Sequence, residues 1–280
     1  MPMVPHDKQT EPPDDAKIWR FFKLDYFRDL VANEELYFRR ADTYKSTDPN
    51  EGLPTDGYLR RTIGLQPYVI ADELELNHHQ GSGRLHNECY YLSCWNLADT
   101  SNRLRMWYGY APSGVAVRSE YGRLKAALSG FLDDVHLGKV RYGDQQMTGY
   151  NALQILFTKS QAYEWETEVR AAVCSNDPVG GQARNYRDTS FPHREPQDDL
   201  NPIHSWVQVC KRRRIRVNDL LLEIAVSPWA SEETFEEVRG SWANVRGLRL
   251  PVRYARAARK VGQSPLGKVD HLRAVHSTRF

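Results

Sequence analysis

The sequence has few cysteines and no long hydrophobic run, and both absences exclude whole classes of protein. Its 280 residues include four cysteines, Cys89, Cys94, Cys174 and Cys210. They follow no paired-ligand spacing and are too sparse for a secreted disulfide scaffold. No stretch approaches the roughly 18 apolar residues of a membrane span, and the N-terminal residues lack the apolar run of an export signal. We therefore expect a reduced, cytoplasmic protein with no membrane-spanning segment.

Glycine-rich phosphate loops and regular metal-ligand patterns are also lacking. The sequence contains neither a Walker-type loop nor the paired glycines of a dinucleotide fingerprint. A zinc ion could be held by His78, His79, His86 and Cys89, but their spacing matches no common zinc pattern. We therefore expect no resident metal ion.

Neither sign of charge predominates overall, since the formal net charge is only +2. A charge this small does not by itself require a nucleic-acid or membrane partner. The positive charge is concentrated late in the chain, in KRRRIR from Lys211 to Arg216 and in residues 246–280, which carry nine Lys/Arg against one Asp. Such a tail is either solvated and disordered or in contact with nucleic acid or an acidic partner.

What is present is an interleaved order of strand and helix patterns. The segments KIWRFF, ELYFRRA, CYYLSCW, SGVAVRS and LLLEIAVS are predicted as strands, and helices are predicted after Asp25 as N-cap and from Ser101 to Tyr110. The fold class is therefore α/β of the mixed α+β kind. We expect a mixed sheet, which can be split, flanked by helices and followed by a C-terminal β-α-β unit. This domain spans 17–254 with a polar excursion at 175–203, between a disordered leader (1–16) and a basic tail (255–280).

The octet YEWETEVR, from Tyr163 to Arg170, places a glutamate at every second position. As a strand, it sends Glu164, Glu166, Glu168 and Arg170 to one face and the aromatic residues to the other. Neighbouring carboxylates on that face lie roughly 6.6 Å apart, close enough to raise one another's pKa where solvent is restricted. Taken alone, the octet is typical of a solvated strand or helix.

Two polar residues within apolar strands support a functional interpretation of the octet. Arg20 lies among the aromatic residues of KIWRFF, and Ser93 lies within YYLSCWN. Each has an ordinary interpretation, since an isolated arginine in such a strand points to solvent and an isolated serine is a satisfied core hydroxyl.

A succession of segments resembles a widespread bacterial family of uncharacterised proteins, the domain of unknown function 2971. The resemblance covers Lys17 to Tyr254 and follows the order LYFRRADTYKSTDPNEG, YYLSCWN, RMWYGYAPSGVAVRS, F-T-K, YEWETEVR and EIAVSPWA. It implies no function.

The order of an arginine on the first strand, a serine on a central strand and Glu-x-Glu on a late strand is similar to the R-S-E arrangement of the ADP-ribosyltransferase superfamily. That family folds as a split mixed sheet that cradles NAD. The resemblance implies that Arg20 binds the phosphates or ribose of NAD and that Ser93 orients the catalytic glutamate. It makes Glu168 that glutamate and Glu166 its substrate-side neighbour. The middle strand reads Ser93-Cys94-Trp95 where the family has Ser-Thr-Ser.

These residue types suit cleavage of the nicotinamide glycosidic bond. The reaction passes through an oxocarbenium-like state, which the Glu168 carboxylate would stabilise. Trp95, Trp107 and Tyr110 are candidates for stacking on nicotinamide or adenine, and each also suits a hydrophobic core.

Two acidic residues of the loop DPNEG complete the candidate site. Asp48 and Glu51 either form a turn or face the acceptor. The sequence thus predicts an NAD-using ADP-ribosyltransferase or NAD glycohydrolase in bacterial conflict or stress, with protein, nucleic acid or water as acceptor. The alternative is a non-enzymatic module that binds nucleic acid or protein through its basic C-terminal region.

Overall fold

The computed structural model describes residues 4–5, 11–46, 90–97, 103–130, 135–143, 152–174, 210–242 and 250–255. Asp48, Glu51 and the residues weighed as zinc ligands (His78, His79, His86 and Cys89) lie outside these ranges, as do the polar excursion and residues 256–280 of the basic tail. The strands are β1 Val4–Pro5, β2 Lys17–Phe22, β3 Glu35–Arg40, β4 Tyr90–Leu97, β5 Val115–Glu120, β6 Val135–Lys139, β7 Arg141–Tyr142, β8 Thr158–Lys159, β9 Glu168–Cys174, β10 Cys210–Arg214, β11 Glu223–Val226 and β12 Val252–Tyr254.

Helices connect these strands. The α-helices are α1 Leu24–Asn33, α2 Arg103–Tyr110, α3 Tyr121–Leu128, α4 Ala152–Leu156, α5 Val217–Leu220 and α6 Glu232–Glu237. Two 3-10 helices span Ala41–Ser46 and Gln161–Glu166, and a π-helical turn spans Val238–Trp242.

Most strands join one large mixed sheet in the order β1-β6-β9-β4-β2-β5-β11-β12, with β3 and β10 branching from β4. The pairs β1–β6 and β11–β12 are parallel, whereas the other pairs of this sheet are antiparallel. Strands β7 and β8 form a separate parallel pair. The mixed fold class predicted from the sequence is therefore confirmed.

The large sheet forks at β4. Strand β9 follows one edge of β4 from Tyr90 to Asn96. The other edge is shared, because β2 pairs with Asn96 and Leu97 while β3 pairs with Tyr91 and Leu92. Ser93, Cys94 and Trp95 therefore lie between two diverging arms of the sheet. The predicted split of the sheet occurs at this point.

Alternation along the strands gives the sheet two different faces. On β2, Ile18 and Phe22 enter the main hydrophobic core, whereas Trp19 and Phe21 pack on the opposite side. We call the side of Ile18 the first face and the side of Trp19 the second face. Helices α1 and α3 cover the first face with the buried residues Phe27, Leu30, Val31, Tyr121, Leu124 and Leu128.

The C-terminal β-α-β unit forms as the sequence predicts. Strand β11 pairs in parallel with β12, and α6 lies between them in the chain. The helix begins after Ser231, whose hydroxyl accepts a hydrogen bond from the backbone N–H of Thr234. Glu232 and Glu233 occupy its first turn, where negative charge complements the helix dipole.

The described part of the predicted leader, residues 4–5 and 11–16, contacts the rest of the chain. Strand β1 pairs with β6. The backbone N–H of Gly122 donates to the carbonyl of Asp14 at 2.8 Å, and Lys125 forms an ion pair with Glu11 at 2.8 Å. A polar, proline-rich composition conceals these contacts because they are made to the backbone and to a distant lysine.

One helix prediction needs correction. Helix α1 begins one residue before Asp25, with Lys23 at the N-cap, so Asp25 lies inside the first turn. On α2, Trp107 is buried while Leu104 and Tyr108 are exposed.

Candidate functional site

The glutamate octet folds as a helical turn followed by a strand, so it combines the two conformations that the sequence left open. Residues Gln161–Glu166 form a 3-10 helix, and β9 begins only at Glu168. Between them, Thr167 adopts a left-handed backbone with φ of 44° and ψ of 50°. Glu164 is consequently exposed beside Gln161 and does not share a face with Glu166 and Glu168.

Thr167 is unusual because β-branched residues rarely adopt positive φ. Its conformation is fixed by neighbours on both sides. Its backbone N–H donates to the carbonyl of Glu164 at 3.1 Å, and its carbonyl accepts from the N–H of Leu97 at 2.9 Å. Its hydroxyl donates to the carbonyl of Leu97 at 3.1 Å. Strained backbone of this kind concentrates at functional sites.

Lys159, from β8, lies between the two glutamates that flank Thr167. Its Nζ donates to Oε2 of Glu166 at 2.7 Å and to Oε2 of Glu168 at 3.1 Å. Both glutamates are 2% exposed and Lys159 is 8% exposed. The two carboxylates therefore share one ammonium in a nearly solvent-free environment.

Arg170 holds the second glutamate from the other side. Its Nε donates to Oε1 of Glu168 at 2.7 Å and its Nη2 donates to Oε2 at 3.1 Å, a two-armed contact. Its Nη1 donates to the carbonyl of Leu156. The arginine is fully buried, so Glu168 has a rigid cationic neighbour at each oxygen.

Tyr110 connects this group to the surface. Its hydroxyl donates to Oε1 of Glu166, while 41% of the residue is exposed at the end of α2. We call Tyr110, Lys159, Glu166, Glu168 and Arg170 the glutamate cluster. It lies on the second face of the sheet.

The two carboxyl groups of the cluster have pKa values displaced in opposite directions. Burial raises the pKa of Glu166, and the charge of Glu168 adds to this, although Lys159 opposes it. Burial would also raise the pKa of Glu168, but Arg170 and then Lys159 outweigh it and hold that pKa at about 2. Burial, reinforced by Glu166, raises the pKa of Tyr110, which keeps its hydroxyl a hydrogen-bond donor. Pairs of groups with divergent pKa values are typical of acid–base sites.

Arg20 occupies the fork of the sheet. Its Nη1 donates to Oγ of Ser93 at 2.6 Å, and its Nη2 donates to the carbonyl of Tyr37 at 2.8 Å. Its guanidinium lies 4.9 Å from the ring centre of Phe22 and 5.9 Å from that of Trp95. Arg20 thus joins β2 to both β3 and β4.

The charge of Arg20 is neutralised by no carboxylate among the residues that the structure describes. Its hydrogen-bond acceptors, a hydroxyl and a carbonyl, are both neutral. The residue is 9% exposed, and burial lowers its pKa. A buried guanidinium with neutral acceptors attracts an anion, and its geometry matches phosphate.

The predicted site residues divide between the two faces of the sheet. The structure brings Arg20 and Ser93 together on the first face, and it brings Glu166 and Glu168 together on the second. The predicted contact between Ser93 and Glu168 is replaced by other contacts of each residue. The Ser93 hydroxyl accepts from Arg20 and also from Nε1 of Trp95 at 3.3 Å. Cys94 takes the place of Ser93 beside Glu168. The reason is strand alternation, because neighbouring residues of β4 face opposite ways.

The three predicted aromatic residues have different environments. Trp95 is fully buried in the main core beside Arg20. Trp107 is 2% exposed and packs edge-on against Phe21, with ring centres 4.9 Å apart, so it serves the core rather than a stacking surface. Tyr110 is the exposed residue of the three, at 41%, and its hydroxyl belongs to the glutamate cluster.

Sequence reasoning missed the role of Lys159 and that of the Tyr110 hydroxyl. Lys159 closes the F-T-K segment, which carries a family resemblance but no assigned role. Lys159 precedes Glu166 by seven residues and Glu168 by nine, and no local sequence pattern predicts contact at these spacings. Alternation along the octet predicts Arg170 on the same face as Glu168, and the structure shows this pair in direct contact.

Comparisons with known proteins add no relative: no family model, no curated protein and no solved structure matches this chain. Both family resemblances therefore stay predictions. Within the described ranges, no three His, Cys, Asp or Glu side chains group as metal ligands. No helix of that part of the chain is long and apolar enough to cross a bilayer.

Proposed function

We propose that the protein is an NAD-using enzyme similar to ADP-ribosyltransferases. It cleaves the bond between nicotinamide and ribose and transfers ADP-ribose to protein, nucleic acid or water. One observation carries the proposal: two buried carboxyl groups, Glu166 and Glu168, share Lys159 and have pKa values displaced in opposite directions.

The glutamates divide the chemistry between them. Glu168 stays ionised at neutral pH, because Arg170 and Lys159 lower its pKa. Its carboxylate supplies negative charge near the ribose, which stabilises the oxocarbenium-like transition state. Glu166, with a raised pKa, takes up the proton that the attacking acceptor loses.

Arg20 supports NAD as the substrate. A guanidinium held by neutral acceptors offers a site for the pyrophosphate, and Trp95 lies against it. Among the described strands, the fork leaves Ser93, Cys94 and Trp95 without a neighbour on one edge. Ser93 contacts Arg20 on the first face, and the next residue, Cys94, lowers the pKa of Glu168 on the second, so the two halves of the proposed site adjoin β4 from opposite faces.

The test is nicotinamide release from NAD by the purified chain, with and without cell lysate, comparing Glu168→Gln with the unsubstituted protein. Glutamine keeps the shape and removes the charge, so turnover should fall at least 100-fold, on the order of the loss of one preorganised electrostatic group. Glu164→Gln is the matched control, because Glu164 belongs to the same octet but is exposed. It should release nicotinamide at the unsubstituted rate.

Dependence of release on lysate would indicate a macromolecular acceptor. Because Glu168→Gln leaves Arg170 and Lys159 with a weaker partner, thermal unfolding of both variants must accompany the assay. A folded Glu168→Gln protein that cleaves NAD at full rate would contradict the proposed role. Absence of release from the unsubstituted protein would contradict the function itself.

A second candidate is a module that binds nucleic acid or an acidic protein through its basic region. The observation that favours it is β10, which forms an outer strand on β3 and carries consecutive basic residues. Arg214 and Arg216 are exposed, whereas Arg212 is paired with Asp29 and Glu35. Binding to a labelled oligonucleotide should weaken steeply as salt is added, and binding that is independent of salt would contradict this candidate.

A further inference from the structure

We propose that Tyr110 is a catalytic residue whose hydroxyl carries the acceptor's proton to Glu166. This inference rests on the proposed function and deepens it, since it assigns the group that meets the acceptor. It gives Tyr110 a role in addition to the predicted stacking on nicotinamide or adenine.

Tyr110 is the exposed end of an otherwise buried chain of groups. It is 41% exposed, compared with 8% for Lys159, 2% for each glutamate and none for Arg170. Helix α2 fixes its position, because Met106 and Trp107 of the same helix are buried. Among the members of the glutamate cluster, Tyr110 is therefore the residue most accessible to a substrate.

Both oxygens of Glu166 already accept a hydrogen bond from within the cluster. Oε1 accepts from the Tyr110 hydroxyl and Oε2 accepts from Lys159. Lys159 also donates to Glu168 and lies 5.2 Å from the ring of Tyr163. Of these two donors, the Tyr110 hydroxyl belongs to the more exposed residue, so it offers the route for a proton between Glu166 and a bound acceptor.

The proposed step is balanced in atoms and electrons. The acceptor's nucleophilic oxygen or nitrogen bonds to C1′ of the ribose as the bond from C1′ to the nicotinamide nitrogen breaks. The electron pair of that bond leaves with nicotinamide, which becomes neutral. The acceptor's proton moves to the hydroxyl oxygen of Tyr110, while the tyrosine's own proton moves to Oε1 of Glu166. Glu166 later returns this proton to solvent by the same route.

The charged neighbours suit this direction of transfer. Burial and the charge of Glu166 raise the pKa of Tyr110 and keep it protonated until the acceptor approaches. Burial, and then the charge of Glu168, raises the pKa of Glu166 and makes it a better proton acceptor, although Lys159 opposes this rise. A second tyrosine, Tyr142, contacts the backbone of the cluster, since its hydroxyl accepts from the backbone N–H of Glu168 at 2.8 Å.

The experiment compares Tyr110→Phe with Tyr108→Phe. The two tyrosines lie on the same helix and are equally exposed at 41%, but Tyr108 packs on Trp229 and not on a carboxylate. With water as acceptor, Tyr110→Phe should lower nicotinamide release about 100-fold or more, the usual range for loss of proton transfer. Tyr108→Phe should keep the unsubstituted rate.

Azide separates a proton-transfer role from a structural one. The azide anion attacks C1′ without a proton to give up, so it should restore nicotinamide release by Tyr110→Phe. It should not accelerate Tyr108→Phe beyond the unsubstituted protein. Full activity of Tyr110→Phe in water, or a loss that azide does not restore, would overturn the proposal.

A second measurement does not depend on turnover. Titration of the Glu166 carboxyl by carbon-13 NMR should show its pKa higher in Tyr110→Phe by about one to two pH units, because a hydrogen bond to the charged form is lost. Tyr108→Phe should leave it unchanged. If the unsubstituted protein releases no nicotinamide, the proposed function fails, and the titration decides the link between Tyr110 and Glu166. An unchanged pKa in Tyr110→Phe would overturn that link as well.

Discussion

Replacing Lys159 by methionine tests whether the glutamate cluster behaves as a buried charge network. Methionine keeps an unbranched side chain and removes the ammonium that lies 2.7 Å from Glu166 and 3.1 Å from Glu168. Arg170 then remains to balance two buried carboxylates. Removing one member of a buried ion pair costs about 3–5 kcal/mol, so we expect the free energy of unfolding to fall by that amount at pH 7.

The loss should shrink as the pH falls. Without Lys159, the pKa of Glu166, already raised by burial and by Glu168, rises further, so the folded variant binds a proton that the unfolded chain releases. Its stability then increases as the pH falls towards the unfolded pKa of about 4.3, by at most about 1.4 kcal/mol per pH unit. In the unsubstituted protein, the lowered pKa of Glu168 acts with the opposite sign. Its contribution of about 3 kcal/mol is present above the unfolded pKa of about 4.3 and is lost only as the pH falls towards 2.

Urea unfolding followed by tryptophan fluorescence at pH 7 and pH 5 measures both effects. Lys125→Met is the matched control, because Lys125 forms a partly exposed ion pair with Glu11. Its loss should be below about 1 kcal/mol at both pH values. If Lys159→Met does not fold at pH 7, the addition of Glu166→Gln should restore folding. A loss below about 1 kcal/mol, or an equal loss at both pH values, would refute the reasoning.

Two further predictions concern the turn before β5 and the fork. Gly114→Ala would place a Cβ 3.0 Å from the carbonyl carbon of Phe22 and closer still to its oxygen, both backbone atoms, so thermal denaturation should show a loss of about 3 kcal/mol or more. The added Cβ of Gly109→Ala meets no atom within 4 Å, so this variant should stabilise α2 by about 0.5–1 kcal/mol. Equal melting temperatures in the two variants would contradict the close approach of Gly114 to Phe22. Arg20→Lys loses the two-armed contact with Ser93 and Tyr37 and should weaken NAD binding about tenfold by calorimetry. Unchanged affinity would remove Arg20 from the site.

The strands of the sheet could be predicted because their signals are local. KIWRFF alternates between two apolar faces and forms β2 with the predicted bounds, and CYYLSCW forms most of β4. The fork between β2 and β3 could not be derived in the same way. It depends on which residues of β4 each strand pairs with, and register is set by contacts between distant parts of the chain.

The site was harder to predict than the fold for the same physical reason. Alternation places Glu166 and Glu168 on one strand face, but the left-handed backbone of Thr167 ends the helical turn and starts the strand between them. The two carboxylates still lie close together, because both form an ion pair with Lys159. No local pattern encodes that lysine or the approach of Tyr110 from another helix.

The two halves of the candidate site, Arg20 and the glutamate cluster, contribute differently to the stability of the fold. Arg20 contributes to the fold, because it fills the fork and joins β2 to β3 and β4. The glutamate cluster has no equivalent structural necessity, since well-packed apolar residues replace buried ion groups with little loss or a gain in stability. The same octet also carries the strained backbone of Thr167, whose conformation costs about 1 kcal/mol or more. A segment that lowers stability in two independent ways is what the proposed chemistry at Glu166 and Glu168 would require.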